Sequence, residues 1–307
     1  MVSLQARAAA FFIKARFKGR LHRAGDIVTI RKLMTPPPAR LPRGVRVLPA
    51  QVGGVAGEWV EGAERRATML YLHGGGYIAC SPQTHRAITG TFARSGFRVF
   101  APDYRLAPEH VFPAAIEDAC AAFRGLRAIT QEALVVAGDS AGGGLSLALM
   151  IALRDAGEQL PAAAALFSPW TELAASGKSV TANDSCCAMF HGEDIGPTAQ
   201  RYLADTDSRH PLASPLYAHL SNLPPLLIHV GAKEVLLDDS RRFAEKARAA
   251  GVHVELKVWA EVPHVWQLLP SLIPEARQSL NEAGAFMLRA AEGQLSNFGR
   301  QTPMPLA

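Results

Sequence analysis

Paired cysteine motifs are missing from this chain. Its four cysteines, Cys80, Cys120, Cys186 and Cys187, offer neither a disulfide framework nor a paired C-x-x-C zinc site. They read as reduced thiols. No H-E-x-x-H string is present, so neither a metal nor any other cofactor is expected. A G-x-x-x-x-G-K-[ST] loop is also absent, which removes the phosphate-cradle reading of the chain's glycine-rich stretches. Near the N-terminus the apolar run Ala8-Ala9-Ala10-Phe11-Phe12-Ile13 is hemmed in by Arg7, Lys14 and Arg16. It is too short to span a bilayer and lacks a signal-peptide cleavage pattern, so a cytoplasmic protein without stable membrane insertion is expected. Two readings of that stretch stay open: a helix with a solvated basic face, or a basic helix that touches a lipid surface. The net charge of +5 looks spread along the chain, with no basic block interleaved with aromatics, and nucleic acid is not an expected partner.

What the chain does have is apolar content. With 307 residues, 49% hydrophobic and 19% charged, it can bury the core of one large domain, and no internal repeat or long low-complexity linker divides it. From about residue 45 onward, strand-like and helix-like runs alternate. The strand-like ones include 98–101, 133–137, 163–167, 226–230 and 254–259. Such alternation predicts an α/β architecture, a mostly parallel central sheet flanked by helices.

Gly138-Asp139-Ser140-Ala141-Gly142 lies between the strand-like run 133–137 and an apolar, helix-forming stretch, 143–153. Strand, tight turn and helix is the setting in which G-x-S-x-G becomes a nucleophile elbow, with Ser140 exposed on a strained turn. His73-Gly74-Gly75-Gly76-Tyr77 follows the apolar run 69–72. Backbone N–H groups uncovered by glycine can approach a developing oxyanion closely, and Gly74, Gly75 and Ala141 are the expected donors. A serine nucleophile needs a base, and the base needs an acid to orient it. His264, just after the run 254–259, is the candidate base, and the acid is expected after the run 226–230, within Gly231 to Asp239.

Together these stretches resemble the hormone-sensitive lipase family of α/β-hydrolase esterases (bacterial esterase family IV) from about residue 40 to residue 290. Asp103 to His110 and Ser168-Pro169-Trp170 also carry the likeness. The resemblance implies an acid three residues after Gly231. The family commonly has Asp there, whereas this chain has Glu234. Either carboxylate can hold the imidazole, so Glu234 is the expected acid and Asp238 the fallback. Asp238 and Asp239 also suit the start of a helix over 238–250. By the same resemblance, residues 1 to about 40, ending in Pro36-Pro37-Pro38, and about 173–215 form a helical cap on a single domain.

Further site expectations follow. Tyr77, Ile78, Met189, Phe190, Val265, Trp266 and Trp170 are candidate pocket walls, with Trp170 equally suited to the core. Cys80 follows the glycine loop closely enough to lie near the site. His73 should brace the glycine loop, and His229 should be a satisfied core histidine. His85, His110, His191, His210, His219 and His253 are expected at the surface or in loops. Asp103 to His110 should form a buried polar brace in which Arg105 and Glu109 are ion-pair members.

The expected function is hydrolysis of a small carboxylic ester, with short acyl chains implied by the resemblance. Amide cleavage, deacetylation of a metabolite and acyl transfer stay open for the same site. The fold can also serve as a non-catalytic small-molecule receptor or as an interfacial lipase, and a homodimer is left open.

Overall fold

The computed structural model describes residues 2–35 and 41–295. The expected Pro36-Pro37-Pro38 boundary therefore lies outside the described residues. Eight strands form one sheet: β1 (Arg46–Val52), β2 (Val55–Glu61), β3 (Ala67–Leu72), β4 (Phe97–Pro102), β5 (Leu134–Asp139), β6 (Ala164–Phe167), β7 (Leu226–Gly231) and β8 (Val254–Trp259). Their spatial order is β1-β2-β4-β3-β5-β6-β7-β8. The pairs β1–β2 and β2–β4 are antiparallel, and every other pair is parallel. The α/β class with a mostly parallel sheet is thus borne out, and the departure from alternation is the β1–β2 hairpin at one edge.

The helices are α1 (Leu4–Ile13), α2 (Gly19–His22), α3 (Ile27–Met34), α4 (Arg86–Arg94), α5 (Ala114–Ile129), α6 (Ser140–Asp155), α7 (Lys178–Ala182), α8 (Ile195–Leu203), α9 (Leu237–Ala249) and α10 (Pro274–Ala291). A π-helical turn, Lys14–Lys18, joins α1 to α2.

Side chains alternate across a strand, and the two resulting faces are covered by different helices. Met69 and Tyr71 of β3, with Val135 and Ala137 of β5, pack with Ile88 and Phe92 of α4 and Leu280 and Phe286 of α10. Leu70, Leu72 and Val136 face the other way, in one cluster with Phe123 of α5, Leu149 of α6 and Phe243 of α9. Each fully buried large side chain contributes about 1.5–3 kcal/mol, so these layers fix the strand ends against which the site is built.

Helices α1–α3 precede the sheet, and α7 and α8 interrupt the chain between β6 and β7. Lys18, buried on the π turn, donates from Nζ to the carbonyl oxygens of Asp184 and, at 3.2 Å, Cys187. Lys14 Nζ donates to the Ser185 carbonyl at 2.5 Å. The N-terminal helices and the 173–215 segment are thereby held together.

His229 on β7 is a buried core histidine but only half satisfied: Nδ1 lies 2.8 Å from Ser279 Oγ, while Nε2 has no hydrogen-bond partner among the described residues, Glu282 Oε2 standing 3.7 Å away. Burial, opposed by Glu282 and assisted by Lys257, lowers its pKa to about 4. The ring stays neutral in the folded chain, whereas the unfolded chain takes up a proton below about pH 6.5. Stability from this group is therefore complete above that value and falls as pH drops toward 4, by up to about 1.4 kcal/mol per pH unit. Replacing His229 with Gln should remove this dependence. Wild type should lose about 2 kcal/mol of its advantage over the variant between pH 6.5 and 4.5. Urea unfolding at each pH measures it, and parallel stability curves would refute it.

Candidate active site

β5 ends at Asp139 and α6 begins at Ser140, whose φ of +50° lies in the left-handed region that costs a non-glycine residue about 1–2 kcal/mol. The flanking glycines are required by contact. A Cβ at Gly142 would stand 2.0 Å from the Leu72 carbonyl oxygen, and one at Gly138 would stand 2.4 Å from the Gly142 oxygen. The turn is that tight because backbone packs directly on backbone, which is the physical content of G-x-S-x-G here. Trp170 N–H donates to the Ser140 carbonyl at 2.9 Å and ties the elbow to the end of β6.

Glu234 and His264 are carried by the loops after β7 and β8. His264 Nδ1 lies 2.5 Å from Glu234 Oε2, and both side chains are buried. The other carboxylate oxygen, Oε1, accepts from the Gly231 N–H at 2.5 Å and from Ser168 Oγ at 2.7 Å. Three donors therefore fix the glutamate in place of the shorter aspartate. Ser168 was part of a motif noted in the sequence, but nothing there assigned it this contact. Asp238 lies elsewhere. Its Oδ2 accepts from Ser179 N–H at 2.9 Å, while its own N–H donates to Ser179 Oγ at 2.9 Å, so it caps α7. On the far side of the imidazole, His264 Nε2 is buried and has no hydrogen-bond partner among the described residues. Phe190 meets the ring edge-on at 5.0 Å between centroids.

Ser140 and His264 line one cavity of about 1290 Å³. Its walls include Ile13, Phe17 and Leu21 from the N-terminal helices and Met189 and Phe190 from the 173–215 segment. Ile78, Trp170, Val265 and Trp266 are also on the wall, and so is Cys80, whose thiol burial pushes up to about 12. At that value Cys80 is no thiolate near neutral pH. Trp170 serves both expected roles: it lines the cavity and is buried, donating from Nε1 to the Glu172 carbonyl at 3.1 Å. Tyr77 does not line the cavity. Its ring is stacked on Tyr202 at 3.9 Å, and the side chain is buried in the core.

The glycine loop runs beside the elbow. Gly75 and Gly76 line the cavity beside Ser140, whereas Gly74 does not. Gly74 packs on the carboxylate of Asp139, where a Cβ would stand 2.2 Å from Oδ2. Gly75 has a φ of +123°, open only to glycine, and its carbonyl accepts from Ile78 and Ala79. The amides of Gly75 and Gly76 donate to no other described residue.

Asp139 is the centre of a buried group that sequence reasoning missed. Its Oδ1 accepts from the Tyr71 hydroxyl at 2.6 Å, and its Oδ2 lies 3.2 Å from His85 Nε2. Burial alone would raise the carboxyl. The charge and hydrogen bond of His85, with the bond from Tyr71, outweigh it and hold Asp139 below the usual range. His85 is therefore not a surface residue: it is buried at 2% exposure because its ring is needed under the elbow. His73 braces the loop as expected, with Nδ1 2.7 Å from the Gly74 carbonyl oxygen and its ring stacked on Tyr104 at 4.3 Å.

The Asp103–His110 stretch is a brace of a different kind. Its buried polar member is Tyr104, which donates to the His73 carbonyl at 2.7 Å. Arg105 pairs with Glu117 and Asp118, and Glu109 pairs with Arg31, all at partly exposed positions.

An eight-stranded sheet in this order, with its site at the carboxyl ends of the strands, defines an α/β-hydrolase. The family description "alpha/beta hydrolase fold" matches residues 69–268. Among curated relatives, an acetyl-hydrolase of Streptomyces hygroscopicus is 47% identical over 247 residues, covering 79% of this chain and 82% of its own. An esterase of Acinetobacter venetianus is 36% identical over 248 residues, with the same shares, 79% and 82%. Among solved structures, the esterase EstE5 superposes with a TM-score of 0.90 at 37% identity, covering 94% of this chain and 99% of its own. An esterase of the bacterial hormone-sensitive lipase family gives 0.88 at 39% identity, covering 95% and 99%. The chain belongs to this α/β-hydrolase family, among its hormone-sensitive lipase esterases, and is a serine carboxylesterase. No helix among the described residues is long and apolar enough to cross a membrane.

Proposed function

We propose that Ser140, His264 and Glu234 form the catalytic triad of an esterase for short acyl groups carried on bulky apolar alcohols. The observation that carries the reading is His264 Nε2, buried and unpartnered on the cavity that Ser140 lines, with its Nδ1 held by Glu234. Ser140 Oγ attacks the ester carbonyl carbon while His264 Nε2 takes its proton. The carbonyl oxygen gains negative charge and is received by backbone amides of the glycine loop, Gly74 to Gly76, and of Ala141. Collapse expels the alcohol, which receives the proton from His264. Water then repeats the sequence on the acyl-serine and releases the acid. Glu234 fixes the tautomer that leaves Nε2 free to accept and stabilises the imidazolium.

Substrate size follows from the cavity. A space of about 1290 Å³ exceeds what an acetyl group and a small alcohol occupy, and its N-terminal and 173–215 walls are mostly apolar. Those two segments act together as a cap over a single hydrolase domain, joined by Lys14 and Lys18. The relative's name, acetyl-hydrolase, agrees with a small acyl group. For acetyl esters of aliphatic alcohols from ethyl to terpenoid size, kcat/KM should rise by about 10–100-fold, the worth of roughly two to three fully buried methylenes at about 0.8 kcal/mol each. Lengthening the acyl chain on a fixed alcohol should lower it. A preference for long acyl chains, or faster cleavage of matched amides, would reverse the assignment.

A further inference from the structure

The positive charge of this chain is not spread along it. Of 32 Lys and Arg and 27 Asp and Glu, eight basic residues and one acidic residue fall within residues 1–35, so that segment carries +7 and the remainder −2. Some of these cations have partners in the fold. Arg7 lies 2.7 Å from Glu261, Arg31 pairs with Glu109, and Lys14 and Lys18 bind carbonyls. Arg16, Arg20, Arg23 and Lys32 are exposed, and no hydrogen bond or ion pair to their side chains exists among the described residues.

The same segment exposes three large apolar side chains on α1. Leu4 is 79% exposed, Phe11 68% and Phe12 61%, at the i, i+7 and i+8 spacing that puts them on one stripe of α1 with Ala8. This stripe is not the face that folding uses. Ala6 is buried in a cluster with Trp259, Val262 and Trp266, and Ile13 and Phe17 face the cavity. Phe11 and Phe12, meeting edge-to-face at 5.9 Å, are therefore largely in water, in the same segment as the unpaired Arg16 and Arg20.

We propose that this outer face of the N-terminal helices is a docking surface for an anionic lipid bilayer. Leu4, Phe11 and Phe12 enter the boundary between headgroups and acyl chains, while Arg16, Arg20 and Arg23 meet lipid phosphates. A helix with an apolar stripe edged by cations lies in such an interface, and each cation near an anionic surface strengthens the attraction about fivefold. A second copy of this chain is a poor occupant, because it would bring two +7 segments together. An acidic soluble partner would meet the cations without any need for an exposed pair of phenylalanines. Docking sets the cavity-lining helix against the bilayer, the reservoir in which apolar esters collect. The inference rests on surface chemistry and stands apart from the triad assignment.

The test is sedimentation of the full chain with vesicles of phosphatidylcholine alone or containing about 30% phosphatidylglycerol. Partitioning at about 0.1 M salt should be tenfold or more higher on the anionic vesicles and should fall severalfold at about 0.5 M. The pair Leu4→Ser and Phe12→Ser, and separately Arg16→Gln and Arg20→Gln, should each lower it about tenfold or more. Both variants should melt with wild type and hydrolyse a soluble acetyl ester within about twofold of it. No binding, equal binding to the two vesicles, or binding that neither variant weakens would overturn the proposal. So would a concentration-dependent dimer that the Leu4/Phe12 variant abolishes.

Discussion

Replacing Ser140 with Ala should lower kcat by about four to six orders of magnitude while leaving the fold intact. The magnitude follows from what is lost. Without Oγ there is no acyl-enzyme, and water must attack directly with only the oxyanion donors and substrate binding to help. The fold should survive because the substitution leaves backbone contacts at the elbow untouched, including the 2.9 Å bond from Trp170 N–H to the residue 140 carbonyl. A phosphonate ester should label wild type at Ser140 alone. Cys80, although on the cavity wall, should not react, since burial keeps its thiol protonated with a pKa of about 12. An alanine variant that kept a tenth of the activity would end the assignment of the elbow as nucleophile.

The second large effect separates two acids. Glu234→Gln keeps the side chain's size and removes the charge beside His264 Nδ1, now 2.5 Å from Oε2. An amide can present its NH₂ to Nδ1 and favour the tautomer whose Nε2 carries the proton, which cannot act as base. The corresponding change in the well-studied serine proteases costs about four orders of magnitude in kcat. Here the amide would also face the Gly231 N–H and Ser168 hydroxyl, both of which require an acceptor at Oε1. Those donors favour keeping the oxygen on their side and turning NH₂ toward His264, so a loss of about three to four orders is expected. Asp238→Asn should cost less than about tenfold, because Asp238 interacts with Ser179 at the start of α7. The two variants are to be compared at equal folded fraction. A crippled Asp238→Asn enzyme beside an active Glu234→Gln one would transfer the role of acid.

Much of the fold was legible because its central strands are short, apolar and buried on both faces, while the edge strand β8 alternates apolar and charged residues. The runs read at 226–230 and 254–259 are β7 (Leu226–Gly231) and β8 (Val254–Trp259), and the helix expected at 238–250 is Leu237–Ala249. The edge hairpin was not legible in the same way. β1 is half exposed and reads Arg-Val-Leu-Pro-Ala-Gln-Val, without the dense apolar signal of the central strands. The position three residues after Gly231 pointed to Glu234, but the contacts of Ser168 and Gly231 depend on loops distant in sequence. His85 was misread for a related reason. Its neighbours Gln83 and Thr84 look like a surface turn, and only the fold brings Asp139 to its ring. Tyr77 was misplaced because an aromatic beside a glycine loop suits a wall as well as a stack, and Tyr202 lies 125 residues away. The N-terminal stretch was read as basic, but the net charge taken over the whole chain hid that all of the excess lies there.

The backbone contacts around Gly138 and Gly142 bear on how this protein fails when heated. The elbow is wedged between the end of β3 and the start of α6, within 2.0–2.4 Å of where any added carbon would stand. Ser140 cannot relax its left-handed φ unless those elements part, and they lie at the centre of the sheet. Loss of the elbow's geometry and global melting should therefore coincide, which activity and circular dichroism followed along one thermal ramp would check. The walls supplied by α1–α3 and the 173–215 segment hang on side-chain ties instead, so substrate selectivity can drift with temperature or substitution well before the chemistry does.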